Sequence, residues 1–271
     1  MPKAESEPLE VILRRLEASY ADDQKIALAD ADEVRKPQAD NAGESDDITE
    51  ASMLPLLAAI CIIPRNEPND YSRLWAYFAT ESVNSYDLPR LVLRLRTALF
   101  KAVPLVGVPR IINALAALHD AVKTHPNAEH ILEHLPTQSS KPSRTTEQDS
   151  AAGWAFFKAI YGKHAESIIE RIGKSSPDLA EMIVDELYGA NLSRTEVLSW
   201  RETVVVEFVG CASLNCPAQA KGHFFGCRNL GVPKKNVLQA IEVLRALGNW
   251  RSEALAEDKI PFIADVDHWP S

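Results

Sequence analysis

The stretch Cys211-Ala-Ser-Leu-Asn-Cys216-Pro-Ala-Gln219-Ala-Lys-Gly-His223-Phe-Phe-Gly-Cys227 gathers three thiols, two amides and an imidazole in an otherwise apolar region. Pro217 suits the first helical position, which puts Cys216 at the N-cap, where unpaired backbone N–H groups and the helix dipole favour a thiolate. Gln219, His223 and Cys227 then recur at i, i+4 and i+8 along one face, with His223 two turns beyond Cys216. Gly222 and Gly226 leave room for a neighbouring backbone. Such a group suits acid/base chemistry at His223, substrate orientation by Gln219 and a polar or reactive wall at Cys216. Each member also has an ordinary alternative, since a buried thiol is a small hydrophobe and a helical His is commonly a hydrogen-bonded core residue.

The elements that must hold these groups are readable from local signals. Ser199-Trp-Arg-Glu202 is a capping box and predicts a helix through Val204–Val209, although three consecutive valines alone favour a strand. Asn229-Leu-Gly231-Val marks a helix stop. Upstream, Ser176-Pro177-Asp178 starts a helix expected to bury Leu179, Met182, Ile183 and Leu187. Leu88, Leu91, Val92, Leu95, Leu99 and Val103 form a helical stripe ending at Pro104, and Pro109 opens the next helix. The tetrad Gly-Val-Pro-basic occurs at 107–110 and again at 231–234, each time before an apolar helix, and so admits two related halves. The fold class expected is all-α.

The pattern Cys216-x-x-Gln219-x-x-x-His223, with Gly231 eight residues after the His, resembles the carboxymuconolactone decarboxylase and alkylhydroperoxidase D superfamily over about residues 192–247. In length and style the whole chain is similar to fungal carboxymuconolactone decarboxylase-like proteins. The resemblance implies an alkylhydroperoxidase D-like helical bundle that forms homo-oligomers, with the site near a subunit interface. It implies a small organic substrate and no cofactor. Cys216 matches the first thiol of the peroxidase motif and His223 its proton-relay histidine. Gln219 stands where a second thiol would be, which rules out a disulfide cycle between those two positions and is nearer to the decarboxylase members. A carboxylate from the preceding helix completes the relay, with Glu202 or Glu207 available. Cys211 or Cys227 could oxidise with Cys216 if the fold brings them within reach. The other readings are a non-catalytic helical oligomer that retains the fold, and a single-cysteine peroxide-reducing protein recycled by an external thiol.

Composition bounds these options. The chain has 271 residues, 46% hydrophobic and 25% charged, enough for one large core or two modest ones. The expected organisation is an acidic, largely flexible arm over 1–47, a helical half over 48–135, a Ser/Thr/Pro/Gln-rich linker or long loop over 136–150, and a second helical half over 151–271. Residues 8–20 within the arm read as a short amphipathic helix. The first fifty residues hold 6 Lys or Arg against 14 Asp or Glu, so nearly all of the net charge of −9 sits there. No basic stripe suits a nucleic-acid backbone. Met53–Ile63 is too short for a membrane span. Without a recognisable leader or peroxisomal tripeptide the expected location is cytoplasmic, with organelles not excluded. His130-Ile-Leu-Glu133-His134 matches an inverted zinc-peptidase string, yet it lies on one short helix and reads as a solvated face. The spacing of Cys211, Cys216, His223 and Cys227 fits no zinc module, so no metal is expected.

Overall fold

The run Met53–Ile63 has no polar face, and a helix that is apolar all round is stable only when other elements surround it. The computed structural model describes residues 7–30, 50–82, 86–137, 143–248 and 260–269, and shows that arrangement with helices alone, no strand occurring among the described residues. In chain order they are α1 (Leu9–Asp30), α2 (Glu50–Ile62), α3 (Pro68–Ala76), α4 (Leu88–Lys101), α5 (Val103–Val106), α6 (Val108–Lys123) and α7 (Ala128–Glu133). There follow α8 (Thr146–Tyr161), α9 (Ala165–Ser175), α10 (Pro177–Met182), α11 (Trp200–Ser213), α12 (Pro217–Asn229) and α13 (Lys234–Gly248). Helix α2 is sheathed by α13, α11 and α4, with Leu54 to Ile63 fully buried. No helix among the described residues is long and apolar enough to cross a membrane.

The helix expected over 8–20 is present and runs on to Asp30, and Leu9, Ile12, Leu13 and Leu16 lie in the core against α13, α3 and α2. Their helical spacing drives this burial, and Arg73 clamps the helix through Glu10 at 2.7 Å; residues 31–47 lie outside the described residues. The expected linker ends early: Thr145 and Gln148 form a reciprocal capping box that starts α8 at Thr146. Finally, α2 from the first expected half packs on α11 and α13 from the second, so one apolar core runs across the boundary.

The segment after Ser176 departs most from the sequence reading. The cap at Ser176 forms as expected, its hydroxyl accepting from the Leu179 N–H. Helix α10 lasts only to Met182, however, and Ile183–Leu192 continues as a π-helix. A wider turn rotates later side chains away from the 3.6-residue phase. Leu179 and Met182, on α10 before the widening, are 42% and 40% exposed, and beyond it Tyr188 and Gly189 face inward. Inward they meet α8 at backbone contact: a Cβ on Gly153 would lie 2.1 Å from the Val184 carbonyl oxygen, and one on Gly189 would lie 2.4 Å from that of Asp149. The end of this π segment is held by Lys101, whose buried ammonium donates to the carbonyls of Leu192 at 2.8 Å and Arg194 at 2.7 Å.

Candidate functional site

The sequence of α11 and α12 fixes where the imidazole lies. The capping box at Ser199 and Glu202 forms as read, and α11 runs through the valines to Ser213, buried along nearly its whole length. Burial by α2, α12 and α13 on several sides explains why β-branched residues are accepted in a helix here. Cys216 is the N-cap of α12 with Pro217 at N1, as expected. Its thiol makes no capping bond to the first turn, and Sγ instead donates to the Leu214 carbonyl at 3.7 Å.

His223 is 4% exposed and faces Glu207, itself 1% exposed, from the adjacent helix. His223 Nδ1 and Glu207 Oε2 are 3.3 Å apart, but the pair lacks the alignment of a hydrogen bond. On the other side of the ring, Nε2 lies 3.5 Å from the Tyr161 hydroxyl, which is 3.3 Å from the Tyr188 hydroxyl. These long contacts are the kind that tighten when a ligand excludes water. Gly222 makes the approach of Tyr161 possible, because a Cβ there would stand 2.9 Å from the ring's Cε1. The glycines expected to admit a neighbouring backbone admit side chains instead, Gly226 receiving Ile160 and Val204.

The four groups Glu207, His223, Tyr161 and Tyr188 come from α11, α12, α8 and the π segment. Burial pushes the Glu207 carboxyl up to about 8, a rise partly offset by Lys101, and pushes the His223 imidazole down to about 4. Both are therefore neutral at pH 7, Glu207 as the carboxylic acid and His223 as the uncharged imidazole. Burial likewise raises the Tyr161, Tyr188, Cys211 and Cys227 hydroxyls and thiols.

The other expected site residues fall elsewhere. Glu202 is committed to structure: Oε1 accepts from Arg94 at 2.6 Å and Oε2 accepts from the Ser199 N–H at 2.8 Å. The carboxylate facing His223 is that of Glu207, the alternative left open by the sequence. Gln219 is exposed on α12, a turn before His223 and outside its buried contacts. Cys216 is half-buried at the end of the loop. His130, Glu133 and His134 are exposed on α7, with His134 Nδ1 2.8 Å from the His130 carbonyl. Tyr161 and Tyr188 were not singled out for chemistry by the sequence, and no local signal marked them. Two surface grooves, of about 600 Å³ beside Lys234 and Trp269 and about 500 Å³ beside Asp149 and Met182, are lined by none of the four relay groups.

No protein-family model matches the chain, and no solved structure matches it. Among curated proteins, it is 28% identical over 193 residues to Peroxisomal protein 2 of Schizosaccharomyces pombe, covering 71% of this chain and 84% of that protein. It is 27% identical over 164 residues to Peroxisomal protein 2 of Saccharomyces cerevisiae, covering 55% of this chain and 58% of that one.

Proposed function

We propose that the chain is a carboxymuconolactone decarboxylase-like enzyme that performs acid/base chemistry on a small organic acid. The observation that carries this reading is the buried Glu207–His223–Tyr161 series. Glu207 stores a proton at neutral pH because burial disfavours its carboxylate. When Tyr161 gives its proton to the carbon from which carbon dioxide departs, His223 Nε2–H refills the hydroxyl, and Nδ1 takes the proton of Glu207. Glu207 is left as the carboxylate; the relay resets when a solvent proton enters through Tyr161 to Nε2 and Nδ1 returns its proton to Glu207. Tyr161 is the half-buried end of the series and lies across Gly222, so substrate meets the relay on that face of α12, where exposed Gln219 can orient it. The resemblance to a family of homo-oligomers supports a second subunit closing this face.

The names of the two relatives support residence in the peroxisome in place of the cytoplasm expected from the sequence. A fluorescent fusion of the full chain should coincide with a peroxisomal marker in fungal cells; diffuse cytosolic signal would refute that placement. For the activity, carbon dioxide release from a panel of small carboxylated lactones and enol-forming acids is the test. Release by the wild-type chain but not by Tyr161→Phe is expected. The enclosed imidazole favours a second reading, a non-catalytic helical assembly protein that retains the fold. No release from any acid supports that reading, and equal release by the two proteins would refute the role of Tyr161.

A further inference from the structure

The corner between α11 and α12 is a Schellman motif, in which the residue beyond the helix folds back onto its last turn. Asn215 takes the left-handed conformation at φ 58°, the Asn215 N–H donates to the Ala212 carbonyl at 3.0 Å, and the Cys216 N–H donates to the Cys211 carbonyl at 3.0 Å. The two residues joined by that last bond normally bring their side chains into apolar contact. The end of α12 repeats the same motif: Gly231 has φ 66°, the Gly231 N–H donates to Arg228, and the Val232 N–H donates to the Cys227 carbonyl at 2.9 Å. There the paired positions hold Cys227 and Val232, an ordinary apolar pair. At the end of α11 both positions hold cysteine.

We infer that Cys211 and Cys216 are a redox site, a vicinal dithiol that closes to a reversible disulfide by exchange with small-molecule disulfides. The 3.0 Å bond from the Cys216 N–H to the Cys211 carbonyl keeps the two backbones adjacent, and the disulfide closes from there by rotation of the side chains. The roles of the two thiols follow from burial. Cys216 is half-buried and reachable, whereas Cys211 is buried one turn after Glu207, and burial keeps its thiol protonated. The Cys216 thiolate attacks the incoming disulfide, its sulfur bonds to one half, and the other half leaves as a thiolate. The first departing thiolate takes the Cys211 proton, and the Cys211 thiolate then attacks the Cys216 sulfur. The internal disulfide forms, the second half leaves as a thiolate, and it takes up the proton that Cys216 released to solvent. One small disulfide is thereby reduced to two thiols while two protein thiols are oxidised. None of its steps uses the proton relay, although Glu207 lies one turn from Cys211 and its charge acts on that thiol.

The test treats the full-length chain with oxidised glutathione, then alkylates free thiols under denaturing conditions before trypsin digestion. Cleavage after Arg201 and Lys221 places both cysteines on one peptide. That peptide should be recovered unalkylated and lacking two hydrogens, with Cys61 and Cys227 fully alkylated. Cys211→Ala should convert the product to a glutathione adduct retained on Cys216. The inference is overturned if wild-type Cys216 accumulates that adduct beside a free Cys211, if Cys216 is linked to Cys227, or if the peptide carries two alkyl groups after exposure. Loss of carbon dioxide release would leave these outcomes unchanged.

Discussion

Replacing His223 with alanine is expected to reduce carbon dioxide release by ~10²–10⁴-fold, the usual contribution of a positioned acid/base group. Glu207→Gln should give a loss of the same order while keeping shape and buried volume, because an amide has no proton to surrender at neutral pH. Both changes should appear in kcat with little effect on KM, since neither group is exposed to a ground-state ligand. Glu202→Gln offers the contrast. Its carboxylate is bound to Arg94 and the Ser199 cap, so its loss should lower stability and leave kcat nearly intact. The wild-type rate should have an alkaline limit near pH 8, where Glu207 loses its proton, and an acid limit near pH 4, where His223 gains one. Steady-state kinetics across pH check this set, and unchanged turnover in His223→Ala would sink the proposed role.

Gly153→Ala should destabilise the chain by about 3 kcal/mol or more, at the severe end of overpacking. The new methyl would meet the Val184 carbonyl oxygen at 2.1 Å and the Gly189 nitrogen at 2.6 Å, backbone atoms that a rotamer change cannot move aside. Helix α8 and the π segment would have to separate, and these elements carry Tyr161 and Tyr188. At a chain of this size the cost corresponds to a fall of roughly 5 °C in Tm by thermal denaturation. Gly210→Ala is the control, because its close neighbour is the methyl end of Leu105 at 2.6 Å, a side chain free to turn. Equal losses in the two variants would show that the α8 crossing is looser than the geometry indicates.

Signals within one helical turn were legible in the sequence. Ser199 with Glu202 and Ser176 with Pro177 act through bonds to residues three positions away, so their types alone place the helix starts. The π segment was not legible, because a 3.6-residue phase carried from Ser176 assigns Leu179 and Met182 to the core. What overrides that phase is the pair Gly153 and Gly189, more than thirty residues apart, which lets two backbones touch. The site divides along the same line. His223 and the Cys216 cap were readable from spacing, and Glu207 stood as one of two carboxylates. The choice between Glu202 and Glu207 depends on the rotation of α11 against α12, which is set by the Schellman corner and by Arg94 drawing Glu202 away. Tyr161 and Tyr188 reach the imidazole from α8 and the π segment, and no local pattern ties them to it. Gln219 shares a helical face with His223 but lies a turn nearer the exposed end, a difference that phase alone does not report.

The stored proton on Glu207 also shapes stability, with a sign opposite to that of an ordinary ion-paired carboxylate. Its folded value of about 8 lies above the 4.5 of an unburied group, and the folded His223 value of about 4 lies below 6.5. Between pH 4.5 and 6.5 the folded chain holds the Glu207 proton and the unfolded chain holds the His223 proton, so the two contributions cancel. From pH 6.5 to 8 only the folded chain retains a proton, and stability falls as pH rises, by about 2 kcal/mol. Chemical denaturation of the wild-type and Glu207→Gln chains, at steps from pH 4 to 8.5, reads this directly. The wild type should be level to about pH 6.5 and then decline, whereas Glu207→Gln should gain stability up to pH 6.5 and stay level beyond it. Parallel curves above pH 6.5 would mean that Glu207 is ionised in the folded chain, and the proton relay proposed for this site would be wrong.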